Sequence, residues 1–119
     1  MAIRVAVASS DGKTVNEHFG RTGSFLIFRL AGDQWQQVEE RPNLPACSGQ
    51  RHDDNLLERT AELLSDCRGV VVSQIGPAAM DTLLYRHILP FVLDGTIADA
   101  LAVVLASKLF RVRNKILIQ

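Results

Sequence analysis

Gly69-Val70-Val71-Val72-Ser73-Gln74-Ile75-Gly76-Pro77 is the stretch whose reading decides the fold. Three successive valines leave no polar face, so "GVVVS" (69–73) reads as a short strand buried on both sides, the kind found in helix-covered parallel sheets. The Gly-Pro that follows suits a tight turn and a first helical position, where proline's missing N–H costs nothing. A strand, a turn and a helix start in that order form a βα unit.

Working outward, Ile3, Val5 and Val7 alternate with small or polar residues and predict a first strand ending at Ser9-Ser10. Asp11-Gly12 opens a loop that runs to about Gly23. Phe25 to Leu30 is apolar on both faces, Ala31 to Gln34 is turn chemistry, and Trp35 to Glu40 is a polar strand stopped by Pro42. These make a hairpin whose charged second strand suits a sheet edge. A second loop spans Arg41 to Arg51. Asp53 or Asp54 can cap the next helix, with Leu56, Leu57, Thr60, Leu63 and Leu64 on one face. Pro77 opens a helix with Met80, Leu83 and Leu84 inward, and Ile88 to Val92 is a strand interrupted by Pro90. Thr96 with Asp99 resembles a capping box, starting a last helix that runs to about Lys108.

The order β-β-β-α-β-α-β-α predicts an α/β fold with a five-stranded mixed sheet flanked by helices. The first strand should lie centrally, between the hairpin and the parallel strands, a ribonuclease-H-like arrangement. The 119 residues read as one domain, with 108–119 a possible tail.

Composition narrows the function classes. Thirteen basic residues balance 13 acidic ones, so no nucleic-acid partner is expected. No apolar run approaches the roughly 20 residues of a membrane span. "MAIRVAVASS" lacks the regions of a signal peptide, and a cytoplasmic protein is expected. Cys47 and Cys67 form neither a disulfide framework nor a zinc pattern.

His18, in "NEHFGRTG", can be a solvated bystander, a general base or a metal ligand. Imidazole is the commonest metal ligand near neutral pH. Gly20 would admit a bulky ligand close to the backbone, and Phe19 would anchor the loop on the core. Cys47 has His52 five residues on, a thiolate–imidazole pair that suits iron or zinc but cannot close a four-ligand structural site. Cys67 reads as a packing residue and His87 as a helix-end residue. The helix start after "SQIG" offers free amides to an anion, though it matches neither a P-loop nor GxGxxG. A ribonuclease-type nuclease needs several carboxylates on its central strands, and "AIRVAVAS" carries none; Asp11 lies only in the following loop. A cysteine hydrolase built from Cys47 and His52 lacks anything to orient the histidine.

With "VAVASSDGKTVNEHFGRTGSFLIF", "PACSGQRHDDNLLERTAELLSDCRGVVVSQIGPAA" and "ILPFVLDGTIADAL" in order, the chain resembles the dinitrogenase iron-molybdenum cofactor biosynthesis family, of the NifX, NifB carboxyl-terminal-domain and NafY-core type. The resemblance implies a ribonuclease-H-like fold without enzymatic activity. It implies binding, storage or transfer of an iron–sulfur precursor of the iron-molybdenum cofactor, or of the finished cofactor. The implied partners are cofactor assembly proteins: a cluster-synthesising enzyme, a scaffold or apo-dinitrogenase. His18 occupies the family's "HFG" histidine, the expected cluster contact, flanked by Phe19 and Gly20. Cys47 falls where relatives often carry a cysteine, with His52 a lesser candidate. Arg21 and Arg51 are the expected electrostatic contacts to an anionic cluster. The competing class is a regulatory or protein-interaction module with the same fold and no cluster. Oligomeric state stays open.

Overall fold

The first strand, β1 (Ile3–Ala8), has Val5 to Ala8 fully buried, because both of its faces are covered. In this computed structural model residues 3–43, 47–48, 51–52 and 54–107 are described, with side chains for all of these but 47, 48, 51, 52, 54 and 55. After β1 come β2 (Thr14–Val15), β3 (Ser24–Ala31), β4 (Gln34–Pro42), β5 (Cys47–Ser48), β6 (Arg51–His52) and α1 (Asp54–Leu63). The parallel half holds β7 (Gly69–Val72), α2 (Pro77–Tyr85), β8 (Leu89–Val92), β9 (Gly95–Thr96) and α3 (Ile97–Ala106).

Five strands form one mixed sheet in the order β4-β3-β1-β7-β8. β1 runs antiparallel to β3 and parallel to β7, so it is the central strand the sequence predicts. Side chains alternate across it. Ala6 and Ala8 pack with Phe25, Ile27, Leu57, Leu64, Val70, Val72 and Leu83 beneath α1 and α2. Val5 and Val7 pack with Leu26, Val71, Ile97, Leu101 and Val104 beneath α3. A strand buried on both faces needs this two-sided supply of apolar partners.

The hairpin turns at Gly32, which takes a positive φ of 63°, and carries a bulge where Ile27 faces Glu39 and Phe28 faces Gln37. β4 is an edge, as expected, and runs on to Pro42. Arg41 fastens it to the end of α1: its guanidinium bridges Glu39 and Asp66 and donates to the Leu63 carbonyl at 2.8 Å. β8 forms the other edge, where Pro90 removes a donor no neighbouring strand needs.

Several local expectations change. The first loop contains β2, which pairs with β9, and the second contains the β5–β6 hairpin. β3 is buried on both faces only from Phe25 to Ile27 and alternates beyond. Leu84 does not face inward: it is 46% exposed, because α2 seats Ala79 and Leu83 in the core and the next residue turns away by about 100°. α1 begins at Asp54; Asp53 lies outside the described residues. The last helix ends at Ala106, its start capped by Thr96 Oγ1, which accepts from the Asp99 amide at 3.1 Å. The tail 108–119 lies outside the described residues. His87 takes a left-handed φ of 65° after α2. Its amide donates to Leu84 O, and Ile88 N donates to Leu83 O, the paired bonds that close a helix C-terminus.

Gly69 starts β7 with no room to spare. A Cβ there would meet Phe91 Cε2 at 3.1 Å and the Leu89 carbonyl oxygen at 3.2 Å. Gly69→Val is expected to lower unfolding stability by about 1–3 kcal/mol, the usual cost of overpacking. Urea melts check this as a drop in midpoint at unchanged slope.

Cys67 is 4% exposed in the α1–α2 core, consistent with its reading as a packing residue. Burial pushes its thiol up to about 12, with the Asp66 carboxylate adding to the effect. An unfolded chain sheds this proton near its ordinary value of 9.0 and the folded one does not. The stability from the buried thiol is therefore complete below that value and declines as pH rises from there toward the folded value. At pH near 8, iodoacetamide is expected to leave Cys67 unmodified until denaturant is added, as read by peptide mass mapping.

Candidate functional site

Two segments far apart in sequence meet at the carboxyl end of β7. The Ser73 amide donates to Glu17 O at 3.0 Å, and the Phe19 amide donates to Gln74 O at 2.9 Å. This isolated parallel bridge, His18 against Gln74, lays the first loop beside the β7–α2 turn.

The loop is braced at several points. Phe19 is 1% exposed, and its ring packs on Phe25 with centroids 5.9 Å apart and planes at 50°. The His18 carbonyl accepts from the amides of Arg21 and Thr22, closing a tight turn around Gly20. Thr22 O accepts from Asn43 Nδ2 at 3.0 Å, and Asn43 Oδ1 accepts from Thr60 Oγ1 at 3.3 Å, carrying the brace to α1. Upstream, Asp11 accepts at 2.8 Å from the amides of Lys13 and Thr14 and the Thr14 hydroxyl, and at 3.1 Å from the Ser9 hydroxyl. These donors hold its carboxyl well below the usual carboxylate range. Asp11 is thus occupied in closing its own turn.

Burying Phe19 turns its neighbour outward. His18 is exposed, and no hydrogen bond or ion pair engages its imidazole among the described residues. It opens onto a cleft of about 320 Å³ lined by His18, Gly20, Arg21, Gln74, Ile75, Gly76 and Pro77. The far wall is the start of α2. Gly76 caps it with extended backbone, no side chain bonds the first turn, and no acidic residue sits there. Pro77 has no N–H, so the first-turn amides of Ala78 and Ala79 keep their partial positive charge. Arg21 is exposed and likewise has no ion-pair partner among the described residues, whereas Arg41 and Arg86 are each paired to two carboxylates. The cleft therefore combines an available imidazole with a positive field and no acidic lining residue. It suits an anionic ligand that also coordinates nitrogen.

The expected residues His18, Gly20 and Arg21 line this cleft together, and Phe19 anchors them from the core. Gln74, Ile75, Gly76 and Pro77 join them. "SQIGP" was legible as a helix start with anion-binding amides, but its pairing with His18 is a tertiary contact with no local signal. Cys47 and His52 are direct partners across β5–β6, and Ser48 faces Arg51. The side chains of Cys47, Arg51 and His52 lie outside the described residues. The loop that carries them leaves from Asn43, whose amide donates to Gly23 O at 2.9 Å, so the two candidate loops meet at their bases. Among the described residues, no three His, Cys, Asp or Glu side chains converge as a metal site. No helix among them is long and apolar enough to cross a membrane.

Comparison with known proteins gives the chain a family. The chain is 35% identical over 104 residues to the FeMo cofactor biosynthesis protein NifB of Frankia alni, covering 84% of this chain and 20% of that protein. It is 32% identical over 79 residues to the protein NifY of Azotobacter vinelandii, covering 66% of this chain and 31% of that protein. The chain thus spans about a fifth to a third of the length of these relatives. Among solved structures, PH0822 superposes with a TM-score of 0.65 at 21% identity, covering 87% of this chain and 89% of that one. The Thermotoga protein TM1290 gives 0.58 at 20% identity, covering 83% and 84%. These structures share the fold. The family model for dinitrogenase iron-molybdenum cofactor matches residues 1–107, and the chain belongs to that family.

Proposed function

We propose that this chain takes part in iron-molybdenum cofactor assembly by binding an iron–sulfur precursor, or the finished cofactor, as cargo at the His18 cleft. It then hands the cluster on without catalysing a reaction. The observation that carries this reading is an exposed imidazole, without a partner among the described residues, facing an uncapped helix N-terminus across a cleft of about 320 Å³. That volume lies in the range of about 300–1,000 Å³ typical of ligand sites. Imidazole is a good ligand for iron, and the positive wall complements an anionic cluster. A carrier must also release its cargo, which a few ligands in an open cleft allow better than a closed four-thiolate cage.

The NifB and NifY relatives support the pathway, since cofactor biosynthesis is in the name of the former. The same reading makes a cluster-synthesising enzyme the donor, and a scaffold or apo-dinitrogenase the acceptor. It places the chain in the cytoplasm, and the strand order β4-β3-β1-β7-β8 supports the ribonuclease-H-like name for the fold. Cys47 and His52, paired across their hairpin, are candidate auxiliary ligands, and Arg51 an auxiliary charge. Anaerobic titration with an isolated cluster precursor tests the proposal. A saturable, near-stoichiometric complex with cluster absorption is expected. A folded protein that leaves the cluster free in solution would overturn the reading and favour the interaction module.

A further inference from the structure

The sheet's other face carries a larger cleft that cluster binding does not use. It has a volume of about 580 Å³ and lies between the β3–β4 hairpin and the first turn of α3. Its apolar walls are Phe28 and Trp35, which pack against the α3-side core, whereas the His18 loop is anchored by Phe19 in the α1–α2 core. The indole of Trp35 is fixed in place, because its Nε1 donates to the Leu101 carbonyl at 3.1 Å. A rigid aromatic wall loses little entropy when a flat ligand lies against it. At the rim stand Lys13 and the carboxamides of Gln34 and Gln37.

Lys13 is held at that rim by its backbone on both sides. Its amide donates to Asp11 Oδ1 at 2.8 Å, and its carbonyl accepts from Ile97 N at 2.9 Å. Its ammonium is exposed and has no ion-pair partner among the described residues. Asp11, the nearest acid in sequence, is committed to its own turn. No carboxylate is among the residues lining the cleft. From this charge pattern we infer that the groove is a second binding site, for a small organic anion with a flat apolar body and a single acidic group. The body would lie against Trp35 and Phe28, with its acid on Lys13 and its polar edge on the two glutamines.

Trp35 is the chain's single tryptophan, so its emission reports on this groove alone. The probe is anilinonaphthalene sulfonate, titrated into the folded protein with Trp35 excited. Saturable one-to-one quenching with energy transfer to the dye is expected. Lys13→Ala should weaken binding about two- to fivefold, the scale of one exposed ion pair. Ala98→Glu places a carboxylate on the groove wall at an exposed position of α3, and should weaken binding on the order of tenfold. Circular dichroism verifies that both variants stay folded. His18→Ala should bind the dye as the parent does, which separates this site from the cluster cleft. Absence of saturable quenching, or equal affinity in both groove variants, would overturn the inference. So would Trp35 emission that shifts with protein concentration without dye, since a second copy would then fill the groove.

Discussion

Phe19→Ala is expected to destabilise the protein by about 3–5 kcal/mol, the usual cost of emptying a large aromatic site in a packed core. Phe19 is one of the largest fully buried side chains and contacts Phe25 at a ring separation of 5.9 Å. Its backbone also makes the bond to Gln74 that joins the first loop to the β7–α2 turn. The substitution removes the anchor that sets the direction of His18, so cluster affinity should fall even at temperatures where the variant stays folded. Phe19→Leu refills most of the space and should recover most of both losses. Urea melts and cluster titration, run on the same samples, separate the two effects.

His18→Ala is expected to show the reverse pattern. The imidazole is exposed and bonds nothing among the described residues, so its removal should change stability by no more than about 0.5 kcal/mol. Removing weaker outer-shell partners of metal ligands costs about 10–100-fold in affinity, and a direct ligand should cost at least as much. Cluster affinity should therefore fall at least about tenfold with the melting curve unchanged. Cys47→Ala measured beside it tells whether a thiolate shares the load: a comparable loss marks a second ligand, a smaller one an auxiliary contact.

The sheet was legible because its signals are long or extreme. Alternation over Ile3 to Val7, the unbroken valines 70–72 and the Gly-Asp turn of the hairpin each select one structure, and chain-order rules then fix the strand order. The pairs β2–β9 and β5–β6 were not legible, because two residues have no period and their pairing depends on distant chain. Leu84 misled for a related reason. Residues 80, 83, 84 fit a helical stripe, but the stripe that packs is centred on Ala79 and Leu83, and α1 decides which one is covered. Within the site, residue types pointed to His18 and, separately, to the helix start at Pro77. Their meeting, through Phe19 N and Gln74 O, is a contact between residues more than 50 positions apart that only the fold supplies.

The measurement that tests the central claim most directly is nitrogen hyperfine spectroscopy on the cluster complex. Protein labelled with nitrogen-15 histidine would be loaded anaerobically with the cluster in a paramagnetic redox state. If His18 holds the cluster, the spectrum shows a histidine nitrogen coupling that disappears in His18→Ala and persists in His87→Asn, a control that keeps a residue tolerant of the left-handed position. Histidine couplings unchanged from the parent in His18→Ala, or a bound cluster with no such coupling in the parent protein, would contradict the account.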